Sequence, residues 1–303
     1  METIVQSASI AGVPLLLGAL AVLVASRAGV LNLAVEGLML VGAFVGAAVA
    51  AAALGDGLAF AAALAAGGIV GLGLGWVMVV ARADQVVVGV AFNILMLGLT
   101  GYAFGVITSD SRDALNPGQP VRASIPGLSE IPGIGPLFDM HWIAYVAFVL
   151  VPIISFVLFR TGLGARLRAC GEYAEGARAV GIDVIRTRLY AMVVSGMLSS
   201  AAGAFLVLGD IGLFRRNLTG GRGYIAFVIV ILARYHPVGA LLAAAAFGLA
   251  QALTFYLQLQ GIDIPSQFIL ATPYVVTLLA IILLGRRIGQ PPAEEGRPLR
   301  TTA

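Results

Sequence analysis

The sequence predicts an all-α polytopic membrane protein with about nine transmembrane helices, eight to ten within the error of their boundaries. Its 303 residues are 60% apolar and 11% charged, whereas soluble proteins have about 45–50% apolar and about 25% charged residues. Stretches such as 47–54 and 60–66 are apolar at every position, which excludes the two-residue alternation of a membrane β-barrel. Because a helix needs about 20 apolar residues to cross a bilayer, the chain is predicted to cross it many times.

Nine apolar segments follow one another along the chain, and each is predicted to be a membrane helix. Segment 222–234 is short for a complete crossing, and the run Thr219-Gly-Gly-Arg-Gly223 before it predicts a broken or re-entrant helix. Gly67, Gly71 and Gly75 are four residues apart and are predicted to allow close helix packing. The predicted spans are 4–25, 29–53, 57–80, 86–107, 141–159, 188–208, 222–234, 237–258 and 268–285.

Two polar segments are predicted to divide or end a transmembrane domain of residues 1–289. Residues 108–140 contain five prolines and several glycines, a composition typical of irregular backbone outside the hydrocarbon. Residues 290–303 contain three prolines and are predicted to form a disordered tail. The first seven residues lack a basic region, so no removable signal peptide is expected and the first span is retained.

A third polar segment, 160–187, contains two short amphipathic stretches at 164–170 and 172–180, divided by Gly171. It is too polar to cross a bilayer, and a pair of short surface helices has the shape needed to dock into a groove of a soluble partner. Anchoring to lipid headgroups through the arginines is the alternative. Acidic residues interleaved with the arginines favour protein docking. The residues predicted to make this contact are Arg166, Arg168, Glu172, Arg178 and Gly181.

The arginines also predict the orientation of the chain, since all 18 basic residues are arginine. If 160–187 is cytoplasmic, alternation of the spans places thirteen arginines inside and five outside, which agrees with the positive-inside rule. The N-terminus and the 108–140 loop are then periplasmic, and the tail 290–303 is cytoplasmic. This orientation predicts a multi-pass protein of the inner or plasma membrane.

Several kinds of chemistry are excluded by composition. A chain without lysine cannot contain the phosphate-binding loop that ends in Gly-Lys-Ser/Thr. Cys170 is the single cysteine, and the two histidines lie far apart in the sequence, so neither a disulfide nor a Cys/His metal site is expected. No nucleophile, base and orienting group can be assembled from these residues. We therefore expect no catalytic residue, no metal ligand and no cofactor of its own.

Polar residues inside the apolar segments are the candidates for a substrate pathway. Glu36 lies nine residues after Arg27, and a helical rise of about 1.5 Å per residue places it about 13 Å into a hydrocarbon core of about 30 Å. Asn32 is one turn earlier, and Asn93 is at comparable depth after Asp84. An ionisable group at this depth is either a pathway residue or a helix-end support. The predicted pathway residues are Asn32, Glu36, Phe44, Phe92, Asn93, Thr100 and Gln251.

The amides among these candidates have two possible roles. They donate and accept hydrogen bonds at once, as a nucleobase edge or a ribose hydroxyl requires, and nearby aromatic rings could offer stacking faces. Interhelical hydrogen bonding is the alternative, and it is the usual role of buried amides in membrane helices.

Four segments resemble the permease subunits of ABC importers that serve branched-chain amino acids, ribose-type sugars and nucleosides. They are 27–44, 161–182, 195–209 and 221–248, and together they are distributed over nearly the whole chain. The pattern N-[IL]-x-x-E-G at Asn32 to Gly37 and the stretch ILARYHP ending at Pro237 resemble the nucleoside branch. The resemblance implies a type II importer permease, the smaller of two different permeases, that performs no covalent reaction.

The same resemblance implies the partners. They are a second permease, an ATPase subunit that binds ATP and magnesium, and an external substrate-binding lipoprotein. Residues 160–187 would then be the coupling segment that contacts the ATPase. Two alternatives remain open from the residues alone: a secondary transporter or channel with Glu36 as its coupling carboxylate, and an ABC permease for a sugar or a branched-chain amino acid.

Overall fold

The computed structural model describes residues 2–108, 115–124, 126–127, 129, 135–259 and 290–297. These residues are mainly helical, as the composition predicted, and their few strand residues form one short antiparallel pair of β1 (Ala123–Ser124) and β2 (Asp139–Met140). The helices are α1 (Glu2–Arg27), α2 (Val35–Ala51), α3 (Asp56–Gly75), α4 (Gln85–Ile107), α5 (Trp142–Arg160), α6 (Gly162–Glu172), α7 (Ala174–Ala179), α8 (Val184–Phe205), α9 (Arg222–Leu232) and α10 (Pro237–Leu259).

Eight of the nine predicted spans fall on these helices, and the ninth, 268–285, lies outside the described residues. Within the described part of the chain, six helices are long and apolar enough to cross a membrane. Four of them are α1, α4, α5 and α10. The other two are α3 and α8, each continued by a π-helical segment, Trp76–Val80 after α3 and Leu206–Ile211 after α8. The shorter apolar helices are α2 and α9. The predicted all-α, multi-pass architecture is confirmed.

Helices α1 and α8 form the centre of the bundle. In an apolar 18-residue stretch of each helix, 83% of the residues are buried in α1 and in α8, whereas only 22% are buried in α4. The α3 glycines face α8, because a Cβ added at Gly71 would lie 2.5 Å from the carbonyl oxygen of Met192 and one at Gly67 would meet the backbone of Gly196. The close packing predicted from the glycine spacing is confirmed, and α4 is left at the periphery.

The second predicted span begins later than expected. Residues 28–34 are not helical, so α2 starts at Val35 and not near residue 29. The chain turns at Gly29 with φ of +81°, a left-handed conformation that glycine adopts without a steric cost. Position 29 also lies against the side chain of Arg188 and the backbone of Cys170. A side chain at this turn would therefore collide with α6 and α8. Hydropathy cannot predict this steric requirement, so the predicted start of the span was too early.

The helix pair predicted within 160–187 is present as α6 and α7. The two helices meet at Tyr173, not at Gly171, which belongs to the last turn of α6. Thr161 separates α5 from α6, and its hydroxyl accepts a hydrogen bond from the N–H of Gly164 at 3.3 Å. The break therefore arises from a capping hydroxyl, because Ser and Thr side chains satisfy helix N-terminal donors.

The start of the predicted disordered tail is ordered. Residues 292–297 form turns in which the N–H of Glu295 bonds to the carbonyl of Pro292 at 3.0 Å. The N–H of Glu294 donates to the carbonyl of Gly171 in α6 at 2.9 Å, and Pro292 is buried. The expectation of disorder is wrong for 290–297, since these long-range contacts offset the low hydrophobicity of the segment. Residues 298–303 lie outside the described part.

Candidate functional site

A buried carboxylate joins the first turns of two short helices. Glu36 of α2 is 6% exposed. Its Oε1 accepts hydrogen bonds from the Thr219 hydroxyl and from the N–H of Gly221 at 2.8 Å, and its Oε2 accepts one from the N–H of Gly223 at 2.6 Å. The first N–H groups of a helix have no partner within the helix, and the helix dipole favours negative charge there. Glu36 thus caps the N-terminus of α9.

The length of α9 measures how deep this cap lies. At the other end of α9, Arg27 donates two hydrogen bonds to the carbonyl of Tyr235, at 3.0 and 2.8 Å. The 11 residues of α9 span about 16 Å, which is about half of a hydrocarbon core of about 30 Å. The sequence-based depth assumed a helix running from Arg27 to Glu36. That path is wrong, because residues 28–34 are non-helical, but the distance along α9 between its Arg27 end and the cap is similar to the one that the sequence predicted.

Asn93 connects α4 to the same place. Its Nδ2 donates to the carbonyl of Leu33 at 2.8 Å and to the Tyr224 hydroxyl at 3.1 Å, while its Oδ1 accepts from the N–H of Gly37 at 2.8 Å. Both of its donors are therefore engaged within the protein. The amide attaches the peripheral helix α4 to the start of α2 and to α9.

Asn32 is engaged in a similar way. Its Nδ2 donates to the Ser195 hydroxyl at 2.9 Å, its Oδ1 accepts from the N–H of Ala34 at 3.0 Å, and the Ser195 hydroxyl donates to the carbonyl of Ala21 at 2.7 Å. Both Asn32 and Ser195 are fully buried. These bonds stabilise the non-helical segment before α2, because buried polar groups in a membrane must find partners inside the protein.

The other predicted pathway residues are distributed along the bundle. Phe92 lies against Gly37, beside the residues just described. Thr100 donates to the carbonyl of Met96 in its own helix, and the Phe44 ring packs edge-on against Phe214. Gln251 is half-buried on α10. Asn32 bonds to Ser195 and Ala34 and to none of the residues around Glu36. We name the set that the structure brings together the Glu36 cluster: Glu36, Asn93, Thr219, Gly221, Gly223 and Tyr224.

Sequence reasoning missed the partners in this cluster. Thr219, Gly221 and Gly223 belong to a run that was predicted to break a helix. The sequence of this run did not indicate that Glu36 accepts its hydrogen bonds. The available signal was that a helix starting inside the membrane needs an acceptor for its N–H groups. A buried carboxylate elsewhere in the chain was the natural candidate for that role.

The predicted contact residues of the helix pair α6–α7 differ in exposure. Arg166, Glu172 and Gly181 are exposed, and Arg178 is half-buried. Nη1 of Arg27 lies 4.0 Å from Oε1 of Glu172. Arg168 is held over the ring of Phe159, with 5.3 Å between its guanidinium carbon and the ring centroid. The helix pair is seated on the bundle by the buried residues Cys170, Ala174 and Ala177.

The described residues contain no group of three or more His, Cys, Asp or Glu side chains that could hold a metal ion. A bundle of apolar helices long enough to cross a membrane, with two shorter apolar helices that meet at a buried carboxylate, is the architecture of a multi-pass membrane protein. Residues 4–285 match the family described as branched-chain amino acid transport system / permease component. The chain belongs to this family of permeases, so it is a transport protein and not an enzyme, as the resemblance implied.

Curated relatives cover most of the chain. It is 35% identical to the guanosine ABC transporter permease protein NupQ of Bacillus subtilis, over 93% of this chain and 91% of the relative. It is 29% identical to the nucleoside ABC transporter permease protein NupC of Lactococcus lactis, over 95% of this chain and 94% of the relative. The putative glucose ABC transporter permease protein TsgC13 of Haloferax volcanii is 34% identical, over 84% of this chain and 76% of the relative.

Proposed function

We propose that this permease imports nucleosides and is driven by ATP hydrolysis in a separate subunit. The observation that carries the proposal is the similarity, over more than nine-tenths of the chain, to permeases named for guanosine and for nucleosides. A monosaccharide is the second candidate, favoured by the relative named as a putative glucose permease. The Glu36 cluster supports transport, since discontinuous helices at mid-membrane depth are typical of transport pathways.

The exposed face of α4 is the proposed wall of the pathway and the contact with the second permease. Gly98 and Gly101 have open space where a side chain would stand, and small residues on a membrane helix let another helix approach closely. Tyr102 is 72% exposed on the same helix. A cavity of about 380 Å³ opens here between α4 and the residues Arg216 and Asn217. An aromatic ring beside arginine and amide groups suits a nucleobase.

The Glu36 cluster is proposed to hold α4, and with it the proposed wall of the pathway, against the rest of the bundle. Asn93 and Glu36 use their hydrogen-bonding groups within the protein, which supports the helix-support role over direct substrate contact. Substrate contact by Asn32, Phe44, Phe92, Thr100 and Gln251 stays a prediction. Displacing a satisfied amide or carboxylate toward a ligand would leave buried donors unpaired, which is costly.

The partners and the orientation follow from the same proposal. The helix pair α6–α7 faces the cytoplasm and docks on an ATPase subunit that binds ATP and magnesium. A second permease completes the membrane part, and an external lipoprotein delivers the substrate. The N-terminus lies outside and the C-terminus inside the inner or plasma membrane. The exposed, mixed-charge surface of α6–α7 supports this docking, because complementary charges guide association.

Reconstitution tests the function directly. The permease, the second permease and the ATPase are placed in proteoliposomes with their binding protein, and uptake of labelled guanosine is measured with and without ATP. Excess unlabelled uridine, glucose or leucine serves as competitor. Competition by uridine alone would support the nucleoside proposal. No uptake of guanosine, together with ATP-dependent uptake of labelled glucose by the same proteoliposomes, would establish the monosaccharide alternative, and guanosine uptake without ATP would overturn the ATP-driven mechanism.

A further inference from the structure

A short acidic segment near the C-terminus is bound to the core of the bundle. We name residues 290–297 the C-terminal strap. The hydroxyl of Ser26, at the end of α1, donates a hydrogen bond to Oε1 of Glu295 at 2.5 Å. The N–H of Glu294 donates to the carbonyl of Gly171 at 2.9 Å. The strap therefore connects the end of α1 to the last turn of α6.

Glu294 also faces a buried cation. Arg188, near the start of α8, is 1% exposed, and its Nη2 lies 3.9 Å from Oε2 of Glu294. The same guanidinium donates to the carbonyl of Ala28 at 3.1 Å and to that of Cys170 at 3.3 Å. A buried charge is costly unless it is paired and hydrogen-bonded. Glu294 supplies the charge balance, so the strap stabilises the junction where α1, α6 and α8 meet.

The junction has little space to adjust. A Cβ added to Gly171 would collide with the carbonyl oxygen of Arg27 and would lie 3.1 Å from the backbone nitrogen of Gly29. The last turn of α6 thus lies directly on the backbone that leads from α1 toward α2. Movement of α6 relative to this backbone requires the bonds from Arg188 and Glu294 to break.

We propose that Glu294 and Glu295 are positioning residues, which hold the helix pair α6–α7 on the bundle so that motion of a docked ATPase is transmitted to α1 and α8. The inference rests on the proposed coupling role of α6–α7. The strap connects the helix pair to the helices that form the centre of the bundle. Without it, α6–α7 can shift under load while the rest of the bundle stays in place, and ATP hydrolysis continues with less transport.

Cys170 reports the state of this junction without any engineered label. It is the single cysteine of the chain and is fully buried, and burial raises the pKa of its thiol. A buried, protonated thiol reacts slowly with maleimide, because the thiolate is the nucleophile. Opening of the junction exposes the thiol, so the labelling rate measures how often α6 separates from α1.

The first test compares two truncations of the full chain in its assembled complex. Deletion of 291–303 removes every strap residue except Gln290, whereas deletion of 298–303 leaves every contact described above and serves as the matched control. We expect the first to raise the Cys170 labelling rate by about tenfold or more, as for loss of a charge-assisted contact, and the second to leave it unchanged. Equal rates in both truncations would overturn the strap.

The second test measures coupling. Transport per ATP hydrolysed is compared for the same truncations and for Glu294→Ala, at equal membrane insertion. We expect the ratio to fall in the 291–303 deletion and in Glu294→Ala, and to be kept in the 298–303 deletion. A synthetic peptide of residues 290–303, added at about millimolar concentration to replace the tethered segment, is expected to restore slow labelling and the ratio, whereas a scrambled peptide is not.

The outcomes separate this inference from the proposed function. Faster labelling of Cys170 with an unchanged transport ratio would overturn the positioning role. A wild-type complex whose uptake needs no ATP would overturn the proposed function, and the labelling comparison would still decide whether the strap closes the junction.

Discussion

Oε2 of Glu36 on α2 accepts a hydrogen bond from the N–H of Gly223 in the first turn of α9, at 2.6 Å. The two residues are 187 positions apart in the sequence. Together with the bonds from Thr219 and Gly221, this contact gives the N-terminal donors of α9 an acceptor. The contact gives Glu36 a capping role in the fold, and it provides partners for a buried charge that would otherwise be costly.

Replacing Glu36 by Gln should destabilise the permease. The carboxamide keeps one acceptor oxygen and presents an NH2 group to a site built from three donors, so at least one buried donor loses its partner at a cost of about 1–3 kcal/mol. Thermal unfolding of the purified protein measures the loss. Thr219→Ser keeps the hydroxyl donor and should unfold near the wild-type temperature. A Glu36→Gln protein as stable as the wild type would contradict the capping role.

Replacing Asn93 by Leu should impair assembly and uptake together. The change removes the hydrogen bonds to Leu33, Gly37 and Tyr224 that attach α4 to the bundle, and it leaves the N–H of Gly37 unpaired at a cost of about 1–3 kcal/mol. Co-purification of the second permease and guanosine uptake are the two measurements. A loss of uptake with intact assembly would instead assign the amide to substrate contact.

Replacing Tyr224 by Phe should have a smaller effect than Asn93→Leu, because it removes only the hydroxyl that accepts a hydrogen bond from Asn93. A single hydrogen bond contributes about 0.5–1.5 kcal/mol, so assembly should weaken less than in Asn93→Leu. Tyr190→Phe is the matched control, because Tyr190 is 70% exposed on α8. It should leave both assembly and uptake at wild-type levels.

Reversing the charge at Glu172 should uncouple the ATPase. The residue is exposed at the end of α6, 4.0 Å from Arg27, and a reversed charge at a docking surface places like charges together. Glu172→Arg should insert normally but lose substrate-stimulated ATP hydrolysis by about tenfold or more, whereas Glu172→Gln should lose less. Stimulated hydrolysis and transport at wild-type levels in Glu172→Arg would remove this residue from the contact.

The orientation is tested by labelling from one side of the membrane. In a Cys170→Ala background, an impermeant maleimide applied outside should label Asn116→Cys in the loop before α5 and should not label Ala293→Cys in the strap. The expectation follows from the excess of arginines on the predicted inner side. Labelling of Ala293→Cys from outside, with none at Asn116→Cys, would invert the topology.

Docking of the strap should weaken as the pH rises. Burial raises the pKa of Glu295, and the interactions with the side chains of Ser26 and Tyr235 offset this only in part. The docked strap therefore binds a proton more tightly than the released strap, and the stability that this proton adds is lost as the pH rises through the docked pKa.

The measurement is the Cys170 labelling rate from about pH 5 to about pH 8, divided by that of a free thiol to remove the thiolate effect. The corrected rate should rise with pH in the wild type. Glu295→Gln mimics the protonated side chain and should flatten the profile. Parallel profiles in the two proteins would show that Glu295 does not control docking.

The sequence by itself determined the class of this protein and the positions of most of its helices. Hydropathy is a local property: a run of apolar residues forms a membrane helix wherever its neighbours lie. The eight predicted spans on described residues were therefore found, including the short segment of α9. The polar pair of helices was also found from its composition, but the break between the two was placed at Gly171, whereas α6 continues to Glu172 and the break falls at Tyr173.

Only the tertiary structure decided what the polar residues do. Glu36, Asn32 and Asn93 were recognised as buried, yet whether they contact substrate or support helices depends on partners such as Gly223, Ser195 and Leu33. The strap also could not be predicted from local sequence. Its low hydrophobicity predicted disorder, whereas contacts with Arg188 and Gly171 hold Glu294 in place. A hydrogen bond forms between groups within about 3 Å of each other, and which groups come that close is set by packing of the whole chain.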